Sequence, residues 1–295
     1  MDSERVLGAF AALGSAASWA LGSVLFKQLG ETLQPVVLTA TKGIAGAAML
    51  ALVLRSLAFQ PVPSGAVVLL VLSGLLGIAA GDTLFFMALN RLGAQAVVLL
   101  LTLGQVLTVL LAVAWLGERP EPAAWAGIAL VTGGVTAVMW SRLRGEGGRS
   151  ELPGVLLGLA AVVCMAVSTV IAKQAMDAGS NSAQATLVRM VAGTAGAMLL
   201  GAAMGQRMSS LQPLLSPRFA GFFLLSVGVV TFGGFWLSLV AINYAGVAVA
   251  NTLGSLEPVL VLPFAAALLQ ERITPPVLAG SLAATTGVVL LAAPW

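Results

Sequence analysis

Residues 90–134 read NRLGAQAVVLLLTLGQVLTVLLAVAWLGERPEPAAWAGIALVTGG, and residues 243–287, 153 positions further on, answer with NYAGVAVANTLGSLEPVLVLPFAAALLQERITPPVLAGSLAATTG. One register aligns Asn90 with Asn243, Gly93 with Gly246, Glu118-Arg119 with Glu271-Arg272, Gly127 with Gly280 and Gly134 with Gly287. Earlier segments follow the same plan: Gly8 to Gln28 matches Gly154 to Gln174, and Lys42 with Gly46 matches Arg189 with Gly193. The chain is a tandem duplication, with halves expected at residues 1–145 and 146–295, and any function has to be built from two copies of one design.

The composition says where that design lives. Of 295 residues, 59% are hydrophobic and 8% charged, whereas soluble domains carry about 25% charge. Too few charges are present to cover a water-exposed surface, so the chain reads as an all-α protein crossing the membrane many times. Hydrophobic runs long enough to span a bilayer, about 20 residues each, fall at 5–27, 35–57, 64–88, 94–116, 121–141, 153–174, 183–204, 218–241, 247–269 and 274–293. The N-terminal run follows MDSER directly and reads as a retained first helix. The longer connections are 142–152, between the halves, and 205–217.

Five spans per half is an odd number, so the second half enters the bilayer in the opposite sense. Ten transmembrane helices arranged as two inverted repeats place a binding site near the midplane and permit alternating access. Glycine pairs at Gly77 and Gly81, Gly154 and Gly158, and Gly201 and Gly205 are expected to form close-packed seams between helices.

Several classes of chemistry are disfavoured. There is no histidine and one cysteine, Cys164, which argues against zinc, haem and Ser-His or Cys-His catalysis and leaves no cofactor or metal to expect. No G-x-x-x-x-G-K-[ST] loop signals ATP, and a net charge of +3 is too small and scattered for nucleic acid. An intramembrane enzyme and a non-transporting scaffold remain as rivals from other classes.

The sequence resembles the drug/metabolite transporter superfamily, and within it the EamA-type ten-helix permeases. The resemblance rests on the doubled five-helix half, Leu-Gly-Glu-Arg at 116–119 with its echo Leu-Gln-Glu-Arg at 269–272, Leu256-Glu257-Pro258 in the ninth span, and Ser18-Trp19-Ala20 in the first. It implies a membrane permease with a central cavity, commonly an exporter of amino acids or related metabolites. The superfamily also moves sugars, sugar phosphates, nucleotide sugars and cationic drugs. The first half has Gln105 where the second has Pro258, so the halves are expected to bend differently.

Ionisable groups inside spans mark candidate sites, because burying them in lipid is costly. Asp82 sits deep in the third span beside Phe85 and Phe86, as a carboxylate against an aromatic wall, suited to a substrate ammonium or a proton. The opposing reading is a hydrogen-bonding residue that pins neighbouring helices. Glu257 precedes Pro258 at an expected helix break, as a coupling site or as a structural partner of Lys173 or Arg189. Lys42 and Arg189 are repeat mates, suited to a carboxylate or phosphate unless they snorkel to water, as Lys27 and Lys173 are expected to do.

Ser15, Trp19, Ser23, Thr102, Gln105, Thr231, Phe235, Ser238, Asn251 and Ser255 complete a plausible cavity lining at helical spacing. Glu118-Arg119 and Glu271-Arg272 are expected to be interfacial ion pairs or topology signals. The expected partners are a small-molecule substrate, the lipid bilayer and protons, for a monomer in the cell (inner) membrane. The resemblance implies cytoplasmic termini, yet that places Arg142, Arg144, Arg149, Arg207 and Arg218 outside against Arg5, Arg55, Arg119 and Lys173 inside, the reverse of the usual loop bias.

Overall fold

The computed structural model describes residues 3–54, 62–116, 122–144, 148–178, 182–205, 208–237, 240–241, 244 and 253–291. Helices α1 (Ser3–Gly30) and α2 (Pro35–Leu54) are followed by α3, continuous from Ser64 to Leu92. Helix α4 comes in two pieces, Ala94–Leu101 and Leu103–Leu116, and α5 (Pro122–Arg144) closes the first half. The second half holds α6 (Gly148–Asp177), α7 (Ser182–Ala203), α8 (Pro217–Gly228 running into Val229–Trp236), α9 (Glu257–Leu269) and α10 (Pro275–Leu291). Eight of the helices are long and apolar enough to cross a membrane, and α9 and α10 are shorter apolar helices. Residues such as Phe10, Leu52, Leu199 and Leu225 are more than 60% exposed on the outside of the bundle, as lipid-facing side chains should be.

The contacts between helices show the inversion directly. A Cβ added at Gly127 on α5 would lie 2.6 Å from the carbonyl oxygen of Gly287 on α10, and one added at Gly134 would lie 3.0 Å from that of Gly280. Gly127 and Gly134 are the repeat mates of Gly280 and Gly287, so each glycine meets the mate of the other and the two helices run antiparallel. Only hydrogen side chains allow backbones so close, and the gain is dispersion contact that lipid cannot supply. Gly43 on α2 packs on Thr194 of α7 and Gly46 on Met190, again with indices running in opposite directions.

The same swap relates α1–α8 to α6–α3. Gly22 on α1 packs against Val230 on α8, while their mates, Ser168 on α6 and Gly77 on α3, pack with the glycine on the other helix. Trp19 lies over Gly234, and its mate Met165 lies over Gly81.

Four expectations are corrected. Gly205 is no seam: it takes φ +69 just past α7, nothing lies within 4 Å of an added Cβ, and its N–H bonds to Ala202, so it terminates the helix. The link between the halves is shorter than 142–152, because α5 runs to Arg144 and α6 starts at Gly148. Arg142 bridges the junction, donating to the Leu92 carbonyl at 3.0 Å and pairing with Glu151 at 3.4 Å.

Third, proline does not decide where the halves break. Helix α4 is interrupted at Thr102, and the turn before α9 lies at Ser255-Leu256, with Ser255 the repeat mate of Thr102. Proline is thus not required for the break: the Thr102 hydroxyl donates to the Leu99 carbonyl at 2.6 Å and offers the backbone an alternative to the helical ladder.

Fourth, Glu271 forms no ion pair among the described residues. Its carboxylate accepts the N–H groups of Ala94 at 2.7 Å and Gln95 at 3.2 Å, satisfying orphan donors at the start of α4. Glu118 and Arg119 lie outside the described residues.

Candidate functional site

Helix α3 widens into a π-helix from Leu75 to Asp82, and α8 does the same from Val229 to Trp236, within one residue of the equivalent place. A π turn inserts an extra residue into a helix and re-aims the side chains around it. In α3 it ends on Asp82, and the neighbouring Thr83 is tied to Thr39 of α2 by a buried hydroxyl pair at 3.1 Å.

Asp82 opens onto a cavity of about 420 Å³ between the two halves, lined from α1, α2, α3, α6, α7 and α8, with Leu101 of α4 and Glu257 of α9. Lys42 reaches the same space rather than snorkelling away, and donates to Asp82 Oδ2 at 2.6 Å. Its ammonium stands 5.6 Å from the Phe26 ring centre and 5.3 Å from that of Phe86. Aromatic faces carry negative charge density, so the two rings stabilise the same cation that the carboxylate holds. Phe85 and Phe86 are buried, tilted against one another at 5.2 Å.

Arg189 of α7, the repeat mate of Lys42, also lines this cavity. Its Nη2 donates to Ser168 Oγ at 3.2 Å. Ser168 spends its own proton on the Ser73 carbonyl at 2.8 Å while Ser73 returns a bond to the Ser168 carbonyl at 2.7 Å, so the Ser168 oxygen is left to accept from the guanidinium. The Nε of Arg189 has no hydrogen-bond partner among the described residues. Gly77 makes room here: an added Cβ would collide with Ser168 Oγ and stand 2.7 Å from Ser168 Cβ.

A second cavity of about 390 Å³ adjoins the first, lined by α1, α4, α9 and α10 around Ser15, Thr102, Gln105 and Ser255. Trp19, Leu101 and Glu257 line both cavities and so form the wall between them.

The expected residues therefore fall into two groups. Asp82, Trp19, Ser23, Phe85, Phe86, Thr231, Lys42, Arg189 and Glu257 share the larger cavity, and Gln105 lies with Ser15, Thr102 and Ser255 in the smaller. Ser23 also bonds back to the Trp19 carbonyl at 3.1 Å, and Ser15 crosses to the Gly234 carbonyl at 2.7 Å. Asn251 and Ser238 lie outside the described residues, and the side chain of Phe235 is not described. Sequence reasoning missed Phe26, which continues the helical stripe through Trp19 and Ser23, and the Ser73–Ser168 clasp, which has no sequence signal.

Two inverted five-helix repeats enclosing a charged and aromatic cavity are the architecture of a membrane carrier. The profile of the EamA-like transporter family matches the chain twice, over residues 6–140 and 152–293, and the chain belongs to that family. It is a membrane transporter of the drug/metabolite type. No curated protein matches the chain. Among 25 matching chains of known structure, one crystal structure of a protein superposes with a TM-score of 0.63 at 19% identity, covering 98% of this chain and 96% of the other, a likeness of fold.

Proposed function

We propose that the protein is a secondary carrier of the cell membrane that exports amino acids or related small metabolites, as a monomer, by alternating access between its inverted halves. The observation that carries this reading is the make-up of the larger cavity. Its wall combines a Lys42–Asp82 pair and the Arg189 guanidinium with the aromatic surfaces of Trp19, Phe26 and Phe85. A zwitterion with a small apolar body has a carboxylate for a guanidinium, an ammonium for a carboxylate, and apolar surface for the rings. The volume, about 420 Å³, falls inside the range of about 300–1,000 Å³ typical of small-molecule sites.

Transport requires a gradient, and protons are the coupling ion in this reading. A sugar or sugar-phosphate substrate is the second reading, favoured by Arg189, whose fork suits a phosphate. Since Asp82 already neutralises Lys42, a nucleotide-sugar diphosphate would meet only one cation not in a salt bridge among the described lining residues.

Counterflow in proteoliposomes tests the reading: vesicles are preloaded with a mixed amino-acid pool and offered labelled amino acids, with sugar phosphates as a parallel set. Uptake confined to the amino acids is expected. Uptake confined to the sugar phosphates would move the substrate class to the second reading.

A further inference from the structure

The two cavities meet at one ionisable side chain. Among the described residues Glu257 is the only Asp, Glu, Lys or Arg lining the smaller cavity, whose other polar groups are neutral, and it also lines the larger. It stands as the first residue of α9, directly after the Ser255-Leu256 turn, with Pro258 removing the next backbone donor. Among the described residues no cation lies within ion-pair distance of it. Asp82 differs in this respect, because a proton taken up there would strand the Lys42 ammonium in the cavity wall.

We infer that Glu257 is the proton-binding carboxylate of the carrier, reached from the smaller chamber and from the larger one in turn. The inference rests on the carrier reading above. A proton arriving from one chamber binds a carboxylate oxygen and makes the dividing wall of Trp19, Leu101 and Glu257 neutral. After the halves rearrange, it departs to water in the other chamber and restores the negative charge. One proton is bound and the same proton is released, with no other bond made or broken. From α1, α4 and α10 no charged side chain among the described residues shares the smaller cavity with Glu257. Across the larger cavity stand Lys42 on α2, Asp82 on α3 and Arg189 on α7, so the charge of Glu257 is felt where substrate is proposed to bind. The repeat mate of Glu257 is Gly104, so this proton site exists once per molecule.

The first arm of the test needs no knowledge of the substrate, and the second takes amino acids as the probe. Infrared difference spectra of the full-length protein in lipid, between low and neutral pH, are expected to show a protonated-carboxyl stretch that disappears in E257Q and persists in D82N and E257D. In liposomes, the ratio of labelled amino-acid accumulation with a pH gradient to that without is expected to exceed one in the wild type and to fall to one in E257Q. A carboxyl band that survives E257Q, or a ratio that E257Q leaves unchanged, would overturn the assignment. If the band behaves as expected while the wild type shows no counterflow of any amino acid or sugar phosphate, the proton site stands and the carrier reading fails.

Discussion

Lys42 and Asp82 lie 40 residues apart in the chain and 2.6 Å apart in space, with side chains 19% and 15% exposed. Removing one partner of a buried pair costs about 3–5 kcal/mol, mostly because the other charge is stranded, and partial access to the cavity's water reduces that toward about 1–3 kcal/mol here. K42M and D82N alone are therefore expected to lower the Tm of the purified protein, while the double variant K42M/D82N recovers most of the loss. A double-mutant cycle on thermal melts reads the coupling. Strictly additive losses would mean that the contact contributes nothing as a pair.

Gly93 gives a second prediction at the same scale. Its φ is +83, and an added Cβ would sit 2.5 Å from Glu271 Oε1 and 2.9 Å from its carboxyl carbon. G93A thus meets the strain of a positive-φ, extended-ψ backbone (ψ 171) that essentially only glycine adopts, about 1–3 kcal/mol, together with displacement of a cap that contributes about 0.5–2 kcal/mol. E271A should lose only the second part. Equal Tm losses in the two variants would show that backbone strain at Gly93 is not part of the cost.

At the scale of elements, the α5–α10 crossing is a close helix approach that small residues build from both sides. An added Cβ at Gly287 would lie 2.7 Å from the Gly127 carbonyl oxygen and 2.8 Å from the Val131 nitrogen, both rigid backbone atoms. G287A is expected to push the helices apart at about 1–3 kcal/mol, the usual range for overpacking. Gly133, on the same helix as Gly127 but with nothing within 4 Å of an added Cβ, supplies the control: G133A should leave the Tm unchanged or raise it slightly. A G133A loss as large as that of G287A would locate the effect in the α5 backbone instead of the interface.

These elements also mark how far sequence reasoning reached. The ten hydrophobic runs, the duplication and the inverted order were legible because lipid imposes length and because aligned motifs such as Glu118-Arg119 and Glu271-Arg272 fix the register. The π turns at Leu75–Asp82 and Val229–Trp236 were not, since no side-chain signature distinguishes them from the surrounding helix. Thr102 shows why the breaks were misjudged. Proline advertises a break, whereas a threonine hydroxyl folding back onto a carbonyl three residues earlier looks in sequence like any other polar residue in a span.

For the site, charge within a span was the informative signal, and it selected Asp82, Lys42, Arg189 and Glu257, which all line one cavity. What could not be read was who pairs with whom. The Lys42–Asp82 bond depends on how α2 packs beside α3, and the sharing of Glu257 by two cavities depends on the placement of four helices.

On the scale of the whole molecule, an even number of spans puts both termini on the same side of the membrane, and two physical arguments disagree about which side. The family resemblance implies cytoplasmic termini. Loop charge points the other way, because the face where α5 ends and α8 begins carries Arg142, Arg144 and Arg218. Two of these are engaged with their surroundings: Arg142 with the Leu92 carbonyl and Glu151, and Arg144 over the Trp140 ring at 4.3 Å. On the same face Lys27 donates to the Asn90 carbonyl at 3.3 Å and lies 3.8 Å from Glu31. Cations held by carbonyls, carboxylates and an interfacial tryptophan have structural reasons to be on that face, which weakens their value as orientation signals relative to free loop charges. A fluorescent protein fused after Trp295 is accordingly expected to be bright, and alkaline phosphatase at the same point inactive. A dark fluorescent fusion with an active phosphatase would show that loop charge prevails and would place both termini outside. Replacing Arg142 and Arg144 with glutamine should leave the fusion readout unchanged if those residues act structurally, and invert it if they set topology.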